Sequence, residues 1–174
     1  MFTPYPAVNA TLHDLLSGAR AVLGEQFFGM YLYGSLSSGG FNPATSDIDF
    51  VVVTDGELGP EQVAGLEALH QRLWAEGGQW AAHLEGAYLP RAALRRYHPA
   101  APPAPCVNEG KFYVGGFGSD WVIQRHVIRE QGVVLAGPPP ANLIDPVSPD
   151  EIRAAVAGVL RAFWGPVVVA DPDF

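Results

Sequence analysis

The segment that decides how this chain folds is Tyr31-Leu-Tyr-Gly-Ser-Leu-Ser-Ser-Gly-Gly-Phe-Asn-Pro-Ala-Thr-Ser-Asp-Ile-Asp-Phe50. An apolar run over residues 27–33 stops at Gly34-Ser35, and a second apolar run ends at Thr54 after a short loop. This pattern predicts a strand, a tight turn, the start of a helix, a loop and a second strand. The polar residues of the turn and of the second strand are therefore the first candidates for a functional site.

Two carboxylates, Asp47 and Asp49, stand at the start of the second predicted strand. Side chains alternate along a strand, so both carboxylates share one face while Ile48 and Phe50 take the other. At a separation of about 4 Å they repel each other by ~1 kcal/mol in water and by ~4 kcal/mol at an effective dielectric near 20. A divalent cation removes this penalty, and hard oxygen ligands suit Mg²⁺. The pair therefore predicts a magnesium site.

The turn between the strands predicts a phosphate site. Gly34 lets the backbone approach a ligand closely, and Ser35 stands where a helix would begin. The free N–H groups and the dipole at the start of a helix favour a bound phosphate. A phosphate site beside metal-binding carboxylates indicates nucleotidyl transfer.

The spacing of these residues resembles a known signature. Gly34-Ser35, eleven intervening residues and then Asp47-Ile48-Asp49 resemble the core of the polymerase-β-type nucleotidyltransferase superfamily. More specifically, segments 31–35, 46–49, 129–138 and 143–147 resemble the aminoglycoside adenylyltransferases that act on streptomycin and spectinomycin, so that the resemblance covers roughly residues 12–164. It implies an α/β (α+β) nucleotidyltransferase fold, with a mixed β-sheet of about four to five strands flanked by helices.

The resemblance also implies roles for individual residues. In this superfamily a third carboxylate, from a later strand, joins the metal site or acts as general base, and we carry this role onto Glu85 in the predicted strand over residues 83–89. The other interpretation is that Glu85 faces water on a half-exposed strand. The implied catalytic and metal-binding residues are Asp47, Asp49 and Glu85, and the implied nucleotide-binding residues are Gly34, Ser35 and Ser46. The implied reaction moves AMP from ATP, with one or two Mg²⁺ ions, to a hydroxyl of an aminoglycoside-like small molecule.

Composition limits the classes of partner. The chain has 174 residues and a net charge of −8, which argues against nucleic acid as its main partner and suits a cationic substrate. The single cysteine, Cys106, excludes an internal disulfide framework and suits a reducing compartment. We find no run of 18 apolar residues, and the N-terminus lacks the basic start and apolar core of a signal peptide. The sequence therefore predicts a cytoplasmic protein without a membrane partner.

Helix signals flank the predicted sheet. We expect one helix to begin at Asn9 as N-cap, one to begin at Pro60, one to run from Ser119 to a left-handed Gly132, and one to run from the capping box 148–151 to Gly165-Pro166. Residues 111–114 and 133–136 are predicted to be short strands. Residues 99–105 are predicted to be an extended surface loop, because proline has no N–H donor and a fixed φ.

We predict two domains, a nucleotidyltransferase domain over residues 1–140 and the start of a C-terminal helical domain over residues 141–174. In the resembled enzymes that second domain forms the opposite wall of the cleft and supplies basic groups to the triphosphate. Three interpretations follow. The chain is a piece of a longer protein, or a second copy or another protein closes its cleft, or it is a degenerate relative with little activity.

Two other functions stay open on the sequence. Small nucleotidyltransferase domains of this superfamily also act as antitoxins that adenylylate a partner toxin, in which case the acceptor is a protein hydroxyl. Alternatively, the domain binds nucleotide or a partner without turnover. The retention of Asp47, Asp49 and Glu85 together speaks against the second of these.

Overall fold

The centre of the protein is a mixed β-sheet. The computed structural model describes residues 1–76 and 78–170, and in this part of the chain the strands are β1 (Phe27–Leu32), β2 (Ile48–Thr54), β3 (Leu84–Pro90), β4 (Ala104–Asn108), β5 (Lys111–Gly115) and β6 (Val133–Ala136). Their order in the sheet is β5-β4-β3-β2-β1-β6. β2 and β3 run parallel, and the other neighbouring strands run antiparallel. The predicted fold class is confirmed, although the described sheet has six strands and not four to five.

Helices cover both faces of the sheet. They are α1 (Pro6–Leu23), α2 (Gly34–Ser38), α3 (Pro60–Ala75), α4 (Arg91–Arg95), α5 (Asp120–Gln131), α6 (Pro149–Val159) and α7 (Gly165–Ala170), with a π-helical turn over Leu160–Trp164. The crossover between the parallel strands β2 and β3 contains α3, which begins at Pro60 as predicted. In the described part of the chain no helix is both long and apolar enough to cross a bilayer.

Side-chain alternation along β2 divides the core into two clusters. Phe50 packs with Leu12 of α1 and Leu66 of α3 on one face of the sheet. Val51 packs with Ile128 of α5 on the other. All five side chains are fully buried, and each such burial contributes about 1.5–3 kcal/mol. Asp49 lies two residues before Val51 in β2, so its side chain points to the same face of the sheet, the one that α5 covers.

The first helix begins earlier than its sequence predicts. It starts at Pro6, whose fixed φ suits a first helical turn, and Asn9 lies inside the helix. The Asn9 amide instead holds the N-terminal segment, because Oδ1 accepts a hydrogen bond from the Thr3 N–H at 2.9 Å and Nδ2 donates to the Thr3 carbonyl at 2.8 Å. The prediction that Asn9 is the N-cap is wrong.

The end of α5 also differs from the prediction. Gly132 has φ −60° and ψ 130°, which is extended and not left-handed, because β6 begins at the next residue. A Cβ at Gly132 would stand 2.4 Å from the carbonyl oxygen of Ile128. Glycine is needed here because the backbone at residue 132 passes close to the carbonyl group of Ile128.

The predicted surface loop over residues 99–105 is wrong at its C-terminal end. Ala104 and Pro105 are buried and belong to β4, an inner strand that the sequence analysis missed. The β3–β4 pairing involves Val107 and Cys106 only, while Pro105 pairs with Val114 of β5. Pro105 therefore lies beyond the part of β4 that needs a hydrogen-bond donor toward β3.

The C-terminal helix begins as predicted but continues further. In the capping box, Glu151 Oε2 accepts from the Ser148 N–H at 2.9 Å and Ser148 Oγ accepts from the Glu151 N–H at 3.3 Å. Gly165-Pro166 does not end the helix, because the Gly165 N–H bonds to the carbonyl of Leu160, five residues back, and the π-helical turn accommodates the proline. Whether this helix starts a separate domain at residue 141 stays a prediction.

Candidate active site

The parallel register of β2 and β3 places two carboxylates side by side. Asp49 stands opposite Glu85, just as Val51 stands opposite Ala87 two residues further along the same face. Neighbouring strands lie about 4.8 Å apart, so the two side chains are direct neighbours on the α5 face. The structure therefore brings together two of the three predicted catalytic residues.

The electrostatics of this pair show crowding of negative charge. Burial raises the pKa of Asp49 to about 7, with further increases from the charges of Glu85 and Asp47, and a hydrogen bond from the Ser35 backbone N–H acts in the opposite direction. Burial also raises the pKa of Glu85, with the charges of Asp47 and Glu109 as smaller causes. A cation bound between these groups would stabilise their ionised forms.

The Gly34-Ser35 turn contacts the Asp49 carboxylate directly. Gly34 has a left-handed φ of 62°, and a Cβ added there would stand 2.0 Å from Asp49 Oδ2. The next residue, Ser35, donates its backbone N–H to the same carboxylate. Only glycine leaves room for this arrangement. The predicted phosphate contact of the turn stays a prediction.

Asp47 is oriented by a residue that the sequence analysis did not select. His83, in the 3₁₀ turn before β3, places Nδ1 3.1 Å from Asp47 Oδ1. Both side chains are partly open to solvent, at 48% exposure for His83 and 41% for Asp47. Asp47 is close enough to raise the pKa values of Asp49 and Glu85, but its carboxylate faces His83. Only the same-face alternation of His83 and Glu85 could have suggested this contact.

Ser46 shapes the loop before β2. Its Oγ accepts a hydrogen bond from the Asn42 N–H at 3.0 Å, and its own N–H donates to the Asn42 carbonyl at 2.8 Å. These two bonds close the loop that leads to Asp47. The nucleotide contact predicted for Ser46 stays a prediction.

A cavity of about 170 Å³ opens beside Asp49 and Glu85. Besides these two carboxylates, it is lined by the residue after β1 and by side chains from β4, β5, α5 and the loop before α5: Tyr33, Cys106, Tyr113, Phe117, Asp120, Trp121 and Gln124. Asp120 brings the number of carboxylates in the lining to three, and the described lining residues include no lysine or arginine. The sequence analysis missed this wall, because only the packing of α5 on the sheet brings it to the carboxylates.

The donor set suits a divalent cation in its chemistry, but it is not arranged as a closed site. Carboxylate oxygens are the ligands that Mg²⁺ prefers, and Asp49 and Glu85 supply two crowded carboxylates. Across residues 1–76 and 78–170, however, no three His, Cys, Asp or Glu side chains stand close enough together to hold a metal ion. Asp47 would have to turn away from His83 to join the pair. The metal site formed by Asp47, Asp49 and Glu85 therefore stays a prediction.

Comparison with known proteins supports the class that the fold and the site indicate. The family model described as "Nucleotidyltransferase domain" matches residues 22–80, a range that contains Gly34, Ser35, Asp47 and Asp49. Residues 22–80 thus match a nucleotidyltransferase domain, and they form part of the mixed-sheet fold described above.

Among solved structures, the chain is similar to spectinomycin adenyltransferase AAD(9) from Enterococcus faecialis, crystallised with ATP and spectinomycin. The TM-score is 0.69 at 16% sequence identity, over 88% of this chain and 66% of that chain. This chain therefore spans slightly less than two thirds of the length of that structure. At this identity the similarity concerns the fold.

A second solved structure, a toxin–antitoxin with AMP-PNP, aligns over 91% of this chain and 90% of that chain at 15% identity. Its TM-score of 0.39 is too low to indicate a shared fold. A comparison with curated proteins returned no match.

Proposed function

We propose that the protein is an adenylyltransferase that moves AMP from Mg-ATP to a hydroxyl group of a cationic, aminoglycoside-like small molecule. The observation that carries this proposal is the register pair Asp49–Glu85, which lies between the Gly34-Ser35 turn and an acidic cavity. The pair thus has a candidate nucleotide site on one side and a candidate acceptor site on the other.

The chemistry follows from the positions of the carboxylates. The acceptor oxygen forms a bond to the α-phosphorus of ATP, the bond from that phosphorus to the pyrophosphate oxygen breaks, and the hydroxyl proton goes to a base. Glu85 fits the role of base, because burial raises its pKa and so increases its affinity for a proton. Asp47 and Asp49 would hold Mg²⁺, which when bound neutralises phosphate charge and aligns the attack.

The nucleotide would lie against the Gly34-Ser35 turn. Gly34 leaves the backbone uncovered by a side chain, and α2 starts at this residue. The Ser35 N–H donates a hydrogen bond to the Asp49 carboxylate. With Mg²⁺ held by Asp49, the N–H groups of the turn would serve as donors for phosphate oxygens.

The cavity supports a cationic acceptor. Asp120 adds a third carboxylate opposite the register pair, and Tyr113 and Trp121 offer aromatic faces on which a cationic group can lie. Its volume of about 170 Å³ is below the ~300–1,000 Å³ of typical ligand pockets. The cavity would therefore hold one ring of the acceptor, and the rest would lie against a wall that another segment or another chain provides. The similarity to a protein crystallised with spectinomycin agrees with this class of acceptor.

Pyrophosphate release with Mg-ATP tests the proposal. We expect release to depend on an aminocyclitol or aminoglycoside, with spectinomycin and streptomycin as first probes and the neutral polyol inositol as control. Glu85→Gln should lower the rate by about 10²–10⁴-fold, the usual contribution of a general base, and Asp49→Asn should remove turnover. Glu57→Gln, at an exposed position outside the cavity, is the matched control and should leave the rate unchanged. Full activity of both site variants would refute the assignment, and release that needs a protein acceptor would move it to the antitoxin-like alternative.

A further inference from the structure

A second cavity of about 330 Å³ lies behind α5. Residues 120, 121 and 124 of α5 line the active-site cavity, whereas Val122 and Arg125 line this second one together with Ser119, which precedes the helix. At about 100° per residue Val122 lies on the far side of the helix from residues 120 and 124, whereas Arg125 lies next to Trp121, one turn further along. The other walls come from the end of α4, the segment before α6 and α6 itself.

The cavity contains a buried cation, Arg125, that forms no ion pair with any described residue. The charge of Asp120 favours its protonated form from a greater distance, and its guanidinium lies 5.5 Å from the ring centre of Trp121 and 5.8 Å from that of Tyr97. Arg125 is only 3% exposed, and within the described part of the chain no carboxylate forms an ion pair with it. Its guanidinium donates to the backbone carbonyls of Leu94 at 2.9 Å, Trp121 at 3.0 Å and Ala93. Arginine has five N–H donors, so two of them have no acceptor in the described structure. A buried charge that is not paired is costly, and this leaves the site favourable for an anion.

The remaining lining divides into balanced charges and an apolar wall. Arg95 pairs with Asp145 at 3.0 Å, and Arg96 pairs with Glu151 at 3.1 Å, so that these four charges cancel. The rest of the wall is largely apolar: Val122, Pro146, Val147, Ala154, Ala155 and Gly158. The cavity therefore carries one surplus positive charge, from Arg125, in an apolar setting.

We propose that this cavity binds a small organic monocarboxylate with an apolar body. The carboxylate accepts hydrogen bonds from the free N–H groups of Arg125, and the apolar body packs against α6 and the segment before it. The volume lies within the range of small-molecule sites, about 300–1,000 Å³. Because α5 separates this site from the active-site cavity, a ligand here would also stabilise the helix that carries Asp120 and Trp121. The inference does not depend on the proposed transfer reaction.

The alternative is that Arg125 only ties α4 to α5 through its carbonyl contacts. Titration calorimetry with 3-phenylpropionate and with its neutral analogue 3-phenylpropionamide distinguishes the two. The two probes share an apolar body and differ in the charge that Arg125 would recognise. We expect the carboxylate to bind at least about tenfold more tightly than the amide. Equal affinities, or no saturable binding of the carboxylate at millimolar concentration, would overturn the proposal.

Three variants locate the site. Ala154→Trp places a large side chain into the cavity from an exposed position, so it should fold normally and lower the affinity for 3-phenylpropionate at least about tenfold. Ala162→Trp makes the same change at an exposed position of the same helix outside the cavity and should leave the affinity unchanged. Unchanged affinity in Ala154→Trp would show that the carboxylate binds elsewhere. Arg125→Gln should reduce the preference for the carboxylate over the amide, and if it does not fold, Ala154→Trp and the probe pair decide the question.

Discussion

Replacing Asp49 by asparagine should stabilise the metal-free protein while it removes the proposed activity. The carboxylate lies beside Glu85 and under the Gly34-Ser35 turn, where burial and neighbouring charge raise its pKa to about 7. Asparagine has nearly the same shape, and its Oδ1 can still accept the Ser35 N–H. The substitution therefore removes the unfavourable charge and leaves the packing unchanged.

The magnitude follows from the change in pKa between the unfolded and the folded state. A rise from 3.8 to about 7 corresponds to an upper bound of about 4 kcal/mol at 1.36 kcal/mol per unit. Because the folded pKa is raised, protonated Asp49 stabilises the protein fully below pH 3.8, and this stability is lost as the pH rises through 7. Solvent screening at the cavity reduces the effect, so we expect a gain of about 1–3 kcal/mol at pH 8 in the variant.

Urea unfolding in the presence of a metal chelator measures this difference. The free energy of unfolding of Asp49→Asn should be higher than that of the wild type at pH 8, and this difference should disappear near pH 4. Added Mg²⁺ should reduce the difference in the free energy of unfolding at pH 8, because the cation stabilises only the ionised wild-type site. Asp14→Asn, an exposed charge on α1, controls for the general benefit of removing one negative charge from an acidic protein. A variant that is less stable than the wild type at pH 8 would refute the view that Asp49 is held in a crowded anionic site.

Two further predictions concern residues around the sheet. Gly34→Ala should lower the free energy of unfolding by more than 2 kcal/mol and abolish pyrophosphate release, because the added Cβ would meet the Asp49 carboxylate. Gly39→Ala is the control: Gly39 also has a positive φ, 79°, but nothing lies within 4 Å of the added Cβ, so this variant should lose only about 1–2 kcal/mol. Equal costs would contradict the proposed contact. His70 is 2% exposed, its Nε2 lies 2.8 Å from the Tyr88 hydroxyl, and burial lowers its pKa to about 4. As the pH falls from 6.5 through 4, the free energy of unfolding of the wild type should therefore decrease by about 1–3 kcal/mol relative to that of His70→Gln. If urea unfolding shows the same difference between the two proteins at every pH, the lowered pKa of His70 is contradicted.

Local patterns predicted the central elements correctly for a physical reason. The alternation that places Asp49 on the opposite face of β2 from Ile48 and Phe50 depends only on neighbours in the chain, and so does the capping box at Ser148. The errors occur where the surroundings decide. Pro105 is acceptable in an inner strand because β3 does not reach it, and Gly132 is extended because β6 starts immediately.

The neighbours of the candidate site could not be predicted from local patterns. His83 orients Asp47, and α5 brings Asp120 and Trp121 to the carboxylates, although these residues are separated by 35 or more positions in sequence. Long-range contacts of this kind depend on how helices dock on the sheet and not on propensity or periodicity.

By itself, the sequence determined the strand–turn–strand segment, the position of Asp49 on one face of its second strand and the class of chemistry that such residues indicate. The tertiary structure alone decided that Glu85 stands in register with Asp49, that an acidic cavity adjoins them, and that Arg125 of α5 is buried without an ion pair to any residue in the described part of the chain. The reason is that side-chain direction along a strand is a local property, whereas burial and the distance between charges depend on which distant elements pack together.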